Sequence, residues 1–85
     1  MSRVEIYVKM TCPYCIRARR LLDSKGVAYK TYVLDPDGPQ RQEMIQRANG
    51  RMTVPQIFID GRHVGGCDDL FALEYEGRLE ELLAA

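Results

Sequence analysis

The sequence has no tryptophan and only three cysteines in 85 residues. It also has no apolar run near the ~20 residues that span a bilayer. Without Trp, a core has to be built from Leu, Val, Ile and Tyr. The missing apolar run argues against a membrane helix. The opening Met1-Ser-Arg-Val-Glu-Ile lacks a long apolar stretch and a cleavage-site pattern, so no signal peptide is expected and a cytoplasmic location follows. A small, odd number of cysteines does not suggest a disulfide framework. Repeats, linkers and low-complexity segments are also missing, so residues 1–85 read as one domain, near the lower end of what folds alone. The apolar share of 46% is too high for a disordered chain.

Net charge is absent too, but the cancellation is uneven. Residues 1–34 carry seven basic side chains against two acidic ones, and residues 35–85 carry five against ten. The basic half holds Cys12-Pro-Tyr-Cys15, with Lys9 just ahead of it. Positive surroundings favour a thiolate and an anionic ligand nearby. A solvated helix face is the plainer reading for Arg17, Arg19 and Arg20.

Local patterns place this pair of cysteines. Val4-Glu-Ile-Tyr-Val8 alternates with β-branched residues and reads as a first strand. Proline is tolerated in a first helical turn, so a helix starts at Cys12–Pro13 and runs to Lys25, with Gly26 as its left-handed stop. Cys15, Ala18, Leu21 and Leu22 recur at helical spacing and form its buried face. Ala28 to Leu34 reads as a second strand, parallel to the first across the helical crossover. The turn-rich Asp35-Pro-Asp-Gly-Pro39 loop leads to a helix over Gln40–Ala48, stopped by Asn49-Gly50. Thr53 to Ile59 reads as a third strand. The Asp60-Gly61 turn folds Arg62-His-Val-Gly65 back on it as an antiparallel fourth. A helix over Leu70–Glu76, with Asp68 or Asp69 as N-cap, and a short one over Arg78–Leu83 close the chain. The order β-α-β-α-β-β-α-α predicts an α/β fold: a four-stranded mixed sheet with helices on both faces.

Two cysteines three apart at a strand-to-helix junction of a β-α-β unit form a redox motif. With Thr53-Val-Pro55 and Gly65-Gly-Cys-Asp-Asp69 in order behind it, the chain resembles the glutaredoxins, specifically their small bacterial dithiol type. The resemblance runs through nearly the whole length. It implies the thioredoxin fold, glutathione as cosubstrate with no tightly bound cofactor, and reduction of protein disulfides and glutathione mixed disulfides, ribonucleotide reductase among the candidate substrates. A monomer is expected, with no nucleic-acid or membrane partner.

Cys12, at a helix N-terminus with Lys9 nearby, is the expected nucleophile, because unpaired N–H groups and the helix dipole there stabilise negative charge. For such a thiol the gain in thiolate fraction and the loss of intrinsic nucleophilicity nearly cancel, so the larger benefit is as a leaving group. Cys15, one turn on, is the expected resolving residue, needed for protein disulfides but not for glutathione mixed disulfides. The N–H groups of Cys67 and Asp68 suit the γ-glutamyl carboxylate, the Asp68 side chain suits the ammonium, and Lys9 suits the glycine carboxylate. Gly66, beside Gly65, allows close backbone approach. The resemblance makes Val54–Pro55 a cis peptide and offers the Val54 backbone to the ligand's cysteine as an added strand, next to Thr53. Tyr14 would form one wall, and Gln42 and Arg51 are further candidates for the glycine carboxylate. Cys67 reads as a small buried residue rather than a catalyst. Two rivals remain. Cys12, Cys15, His63 and Cys67 supply four zinc ligands. Some glutaredoxins carry a [2Fe–2S] cluster between monomers, although those typically have Gly or Ser where this motif has Pro13-Tyr14-Cys15.

Overall fold

The computed structural model describes residues 3–35 and 38–84. Residues 36 and 37 of the expected turn-rich loop lie outside the described residues. The elements run β1 (Val4–Val8), α1 (Pro13–Ser24), β2 (Tyr29–Val33), α2 (Pro39–Arg47), β3 (Gln56–Ile59), β4 (Arg62–Gly65), α3 (Cys67–Tyr75) and α4 (Leu79–Ala84). The sheet order is β2-β1-β3-β4, with β1 parallel to β2 and antiparallel to β3, and β4 antiparallel to β3. This is the four-stranded mixed sheet of the thioredoxin fold.

β1 lies at the centre, and all five of its residues are buried. Successive side chains of a strand point to opposite faces. Val4, Ile6 and Val8 therefore join Ile57 and Ile59 under Ala18 and Leu22 of α1, Leu70 of α3 and Leu79 of α4. Tyr7 and Phe58 point the other way, onto Met44 and Ala48 at the end of α2. Each fully buried leucine or isoleucine contributes roughly 1.5–3 kcal/mol. The alternation in β1 suggests one wet face, yet Glu5 is only 4% exposed. Arg47 makes that burial tolerable: its Nη2 donates to Glu5 Oε1 at 2.9 Å and its Nη1 to Oε2 at 3.2 Å, while Tyr32 donates its hydroxyl to Oε2 at 2.9 Å.

Helix ends follow local chemistry. Gly26 takes φ +70° just past α1. Lys25, at the α1 C-cap, reaches Glu74 of α3 at 2.6 Å and Glu80 of α4 at 2.9 Å, which ties that end down. Asp60 and Gly61 both have positive φ, as the tight hairpin requires. Most boundaries fall within a residue of the sequence reading, and two differ by three residues. The third strand begins at Gln56, because Thr53-Val54-Pro55 forms a loop with a cis Val54–Pro55 bond. The helix expected from Leu70 begins at Cys67, and its N-cap is Gly66, not Asp68 or Asp69. Asp69 sits at the third helical position and accepts the Gly66 N–H at 2.9 Å, so it caps from inside the helix.

Candidate active site

Cys12 is itself the N-cap of α1. The Cys15 N–H donates to Cys12 Sγ at 3.3 Å, and Pro13 occupies the first turn, where its missing N–H has no partner to lose. The Cys12 N–H donates to the Lys9 carbonyl at 3.4 Å, and the Cys12 thiol points to the Val54 carbonyl at 3.8 Å. That contact joins two segments 42 residues apart in sequence. Cys12 is half-buried, whereas Cys15 is 2% exposed and belongs to the core under α1. Burial pushes the Cys15 thiol up to about 12, and its hydrogen bond with Cys12 pushes the same way.

Beside this pair lies a groove of about 260 Å³. One wall is Thr53, Val54 and Pro55, the other is Gly66, Cys67 and Asp68, and Tyr14, Arg51 and Asp69 complete it. Eight of the ligand candidates singled out in the sequence, Arg51 among them, thus meet in one depression. Lys9 is exposed and does not line it; neither does Gln42, on the exposed side of α2. Tyr14, 56% exposed, stands at the rim. Cys67, the first residue of α3, is buried, and burial pushes its thiol up against the opposing charge of Arg17. The first N–H groups of α3 have no intrahelical acceptors, so this wall suits an anion.

Sequence reasoning missed Asp69 as part of the groove and placed Arg51 there only as a ligand contact. Arg51 Nη1 donates to Asp69 Oδ2 at 3.0 Å. The Gly66 N–H, and then Arg51, hold the Asp69 carboxyl below its usual range despite partial burial. The signal for Asp69 was present, since an acid three residues after a glycine cap can reach back to the cap N–H.

The zinc alternative needs His63 among the three cysteines. Its ring instead pairs through Nε2 with Gln56 Oε1 at 2.6 Å, lies 3.4 Å through Nδ1 from Asn49 Nδ2, and packs on Phe58 in the other core. Among the described residues no three His, Cys, Asp or Glu side chains gather as metal ligands. No helix among them is long and apolar enough to cross a membrane.

A thioredoxin fold with a cysteine pair at the start of its first helix, and a groove running from it, defines a thiol–disulfide oxidoreductase. The comparisons narrow that class. The Glutaredoxin family model matches residues 4–64. Glutaredoxin 3 of Escherichia coli (strain K12) is 58% identical over 83 residues, covering 98% of this chain and 99% of that one. A probable glutaredoxin of Synechocystis is 50% identical over 82 residues, covering 96% and 93%. The solved dithiolic glutaredoxin 2-C-Grx1 of Trypanosoma brucei brucei superposes with a TM-score of 0.85 at 40% identity, covering 96% and 87%. A buckwheat glutaredoxin–glutathione complex does so with 0.85 at 33% identity, covering 98% and 77%. The chain belongs to the glutaredoxin family and is a glutathione-dependent oxidoreductase.

Proposed function

We propose that this chain, as a monomer, reduces glutathione mixed disulfides through Cys12 alone and protein disulfides through Cys12 and Cys15 together. The observation that carries the reading is the position of Cys12 Sγ. It accepts a helix N–H and points to the Val54 carbonyl, and Val54 is in the wall of the groove.

The Cys12 thiolate attacks the glutathione-side sulfur of a mixed disulfide, forming Cys12–S–S–glutathione and releasing the substrate thiol. A glutathione thiolate then attacks the glutathionyl sulfur. Oxidised glutathione leaves, and Cys12 departs as thiolate, stabilised where the first-turn N–H groups collect. With a protein disulfide, Cys12 first bonds to one substrate sulfur and releases the other. Cys15 then attacks Cys12, which frees the substrate and leaves a Cys12–Cys15 disulfide. Burial keeps Cys15 protonated at neutral pH, so it attacks only when its proton is taken. This delay leaves time for glutathione to resolve the intermediate instead. Ribonucleotide reductase, whose disulfide calls for both cysteines, is a proposed protein substrate. In the groove, the α3 N–H groups of Cys67 and Asp68 receive the γ-glutamyl carboxylate, the Asp68 carboxylate takes the ammonium, the Val54 backbone takes the cysteinyl segment, and Lys9 takes the glycine carboxylate from outside.

The test is turnover of a small glutathione mixed disulfide, coupled through glutathione reductase to NADPH oxidation. The wild type turns over with saturable dependence on glutathione, and turnover indifferent to glutathione would sink the proposal. Asp68→Ala raises the glutathione KM by about tenfold, the worth of one charge-assisted bond; an unchanged KM removes Asp68 from the site. Cys15→Ser keeps most of the mixed-disulfide activity and loses reduction of a protein disulfide. Equal losses on both substrates would contradict the division of labour between the cysteines.

A further inference from the structure

The two walls of the groove come from different parts of the chain. Thr53–Pro55 follows α2, and Gly66–Asp68 opens α3. An ion pair spans them, between residues 18 apart in sequence. One oxygen, Asp69 Oδ2, accepts both the Gly66 N–H at 2.9 Å and Arg51 Nη1 at 3.0 Å. The backbone beneath is shaped to admit this pair. Gly65 has φ +124°, and a Cβ there would overlap the Asp69 carboxylate and lie 2.9 Å from Arg51 Nη1. A Cβ on Gly66 would sit 3.4 Å from Arg51 Nη2 and 3.4 Å from the Pro55 carbonyl. Two successive glycines therefore let the guanidinium rest against the backbone that joins β4 to α3, with Pro55 of the opposite wall alongside.

Both partners are half-exposed, at 46% and 47%, and such pairs add little stability. The arrangement does more for geometry than for folding. We propose that Arg51 and Asp69 are positioning residues for the glutathione site. Their pair holds the start of α3 at a fixed distance from the Thr53–Pro55 wall, so that the Cys67 and Asp68 N–H groups are aimed at the ligand carboxylate. Arg51 acts through Asp69 rather than on the ligand. The inference rests on the proposed glutathione site.

The experiment measures the glutathione KM in Arg51→Met, Asp69→Asn, the double variant and Arg51→Lys. Asn keeps an oxygen for the Gly66 N–H but gives up the charge that holds Arg51. Each single change raises KM by about tenfold, with the loss recovered at saturating glutathione. The double variant is no worse than either single one, and Arg51→Lys recovers most of the affinity. Melting temperatures stay within about 3 °C of wild type. A direct contact between Arg51 and glutathione gives a different pattern, in which Asp69→Asn leaves KM unchanged or lowers it by freeing the arginine. That result overturns the proposal, as does a double variant whose losses multiply to about a hundredfold. A second readout needs no ligand. The backbone amide resonances of Gly66, Cys67 and Asp68 move in Arg51→Met and Asp69→Asn while those of α1 do not. Unmoved amides overturn the proposal even if glutathione binds. Conversely, a wild type that does not saturate with glutathione removes the glutathione reading and leaves the amides to decide whether the pair positions α3.

Discussion

Cys12→Ser abolishes turnover of a glutathione mixed disulfide, with a loss on the order of 10³-fold or more. The reason is chemical. A serine hydroxyl is not ionised at neutral pH, and its oxygen cannot form and release a disulfide, so both halves of the cycle fail together. Stability separates this from trivial damage. Cys12 is the N-cap of α1 and accepts the Cys15 N–H. Serine is among the best N-cap residues. The variant therefore folds, with a melting temperature equal to or above that of wild type, and still binds glutathione. Substantial activity in the folded variant would move the nucleophile elsewhere. Cys15 would be the first place to look, and its burial and raised thiol make it a poor one.

The parts of the fold that local chemistry decides were legible in the sequence. Pro13 in a first turn, Gly26 after a helical period and the Asp60-Gly61 pair each allow few backbone conformations, and α1 and the β3–β4 hairpin lie where those signals put them. Three short motifs pointed to the groove, because each lies at a junction of a strand with a loop or helix at the same end of the sheet. What the sequence hid depends on partners distant along the chain. Glu5 reads as the wet face of a strand until α2 is known to cover that face and Arg47, 42 residues on, to meet it. Thr53–Pro55 has strand composition but serves as a groove wall. Asp69 looked like one of two equivalent cap acids; its neighbour Asp68 is left exposed, while Asp69 is claimed by Gly66 and Arg51.

The second large effect lies on the far side of the sheet. Arg47→Ala destabilises the fold by about 3 kcal/mol, because breaking a buried pair strands its partner's charge. For a chain of this size the melting temperature falls on the order of 15 °C. Arg47 makes two hydrogen bonds to the Glu5 carboxylate, donates to the Tyr7 hydroxyl at 2.8 Å, and lies over the Phe58 ring at 4.1 Å. Its bond to Glu5 is the main cause of that carboxyl's lowered pKa, and burial opposes it. In the wild type, ionised Glu5 therefore adds stability above its unfolded value of 4.5, and this is lost as pH falls through the lower folded value. Removing Arg47 takes away the main lowering cause. Burial is then opposed only by the Tyr32 hydrogen bond and by Arg3, so the Glu5 pKa rises relative to wild type, and the stranded carboxylate is relieved by taking up a proton as pH falls. The gap in melting temperature between wild type and Arg47→Ala is thus widest near pH 7 and narrows toward about pH 4. Thermal unfolding of both proteins across that range measures it. A gap that stays constant with pH would mean that Arg47 acts by packing on Phe58 and not through Glu5. Glu5→Gln in the Arg47→Ala background checks the same point from the other side: it removes the charge, recovers part of the lost stability at pH 7, and abolishes the pH dependence of the gap.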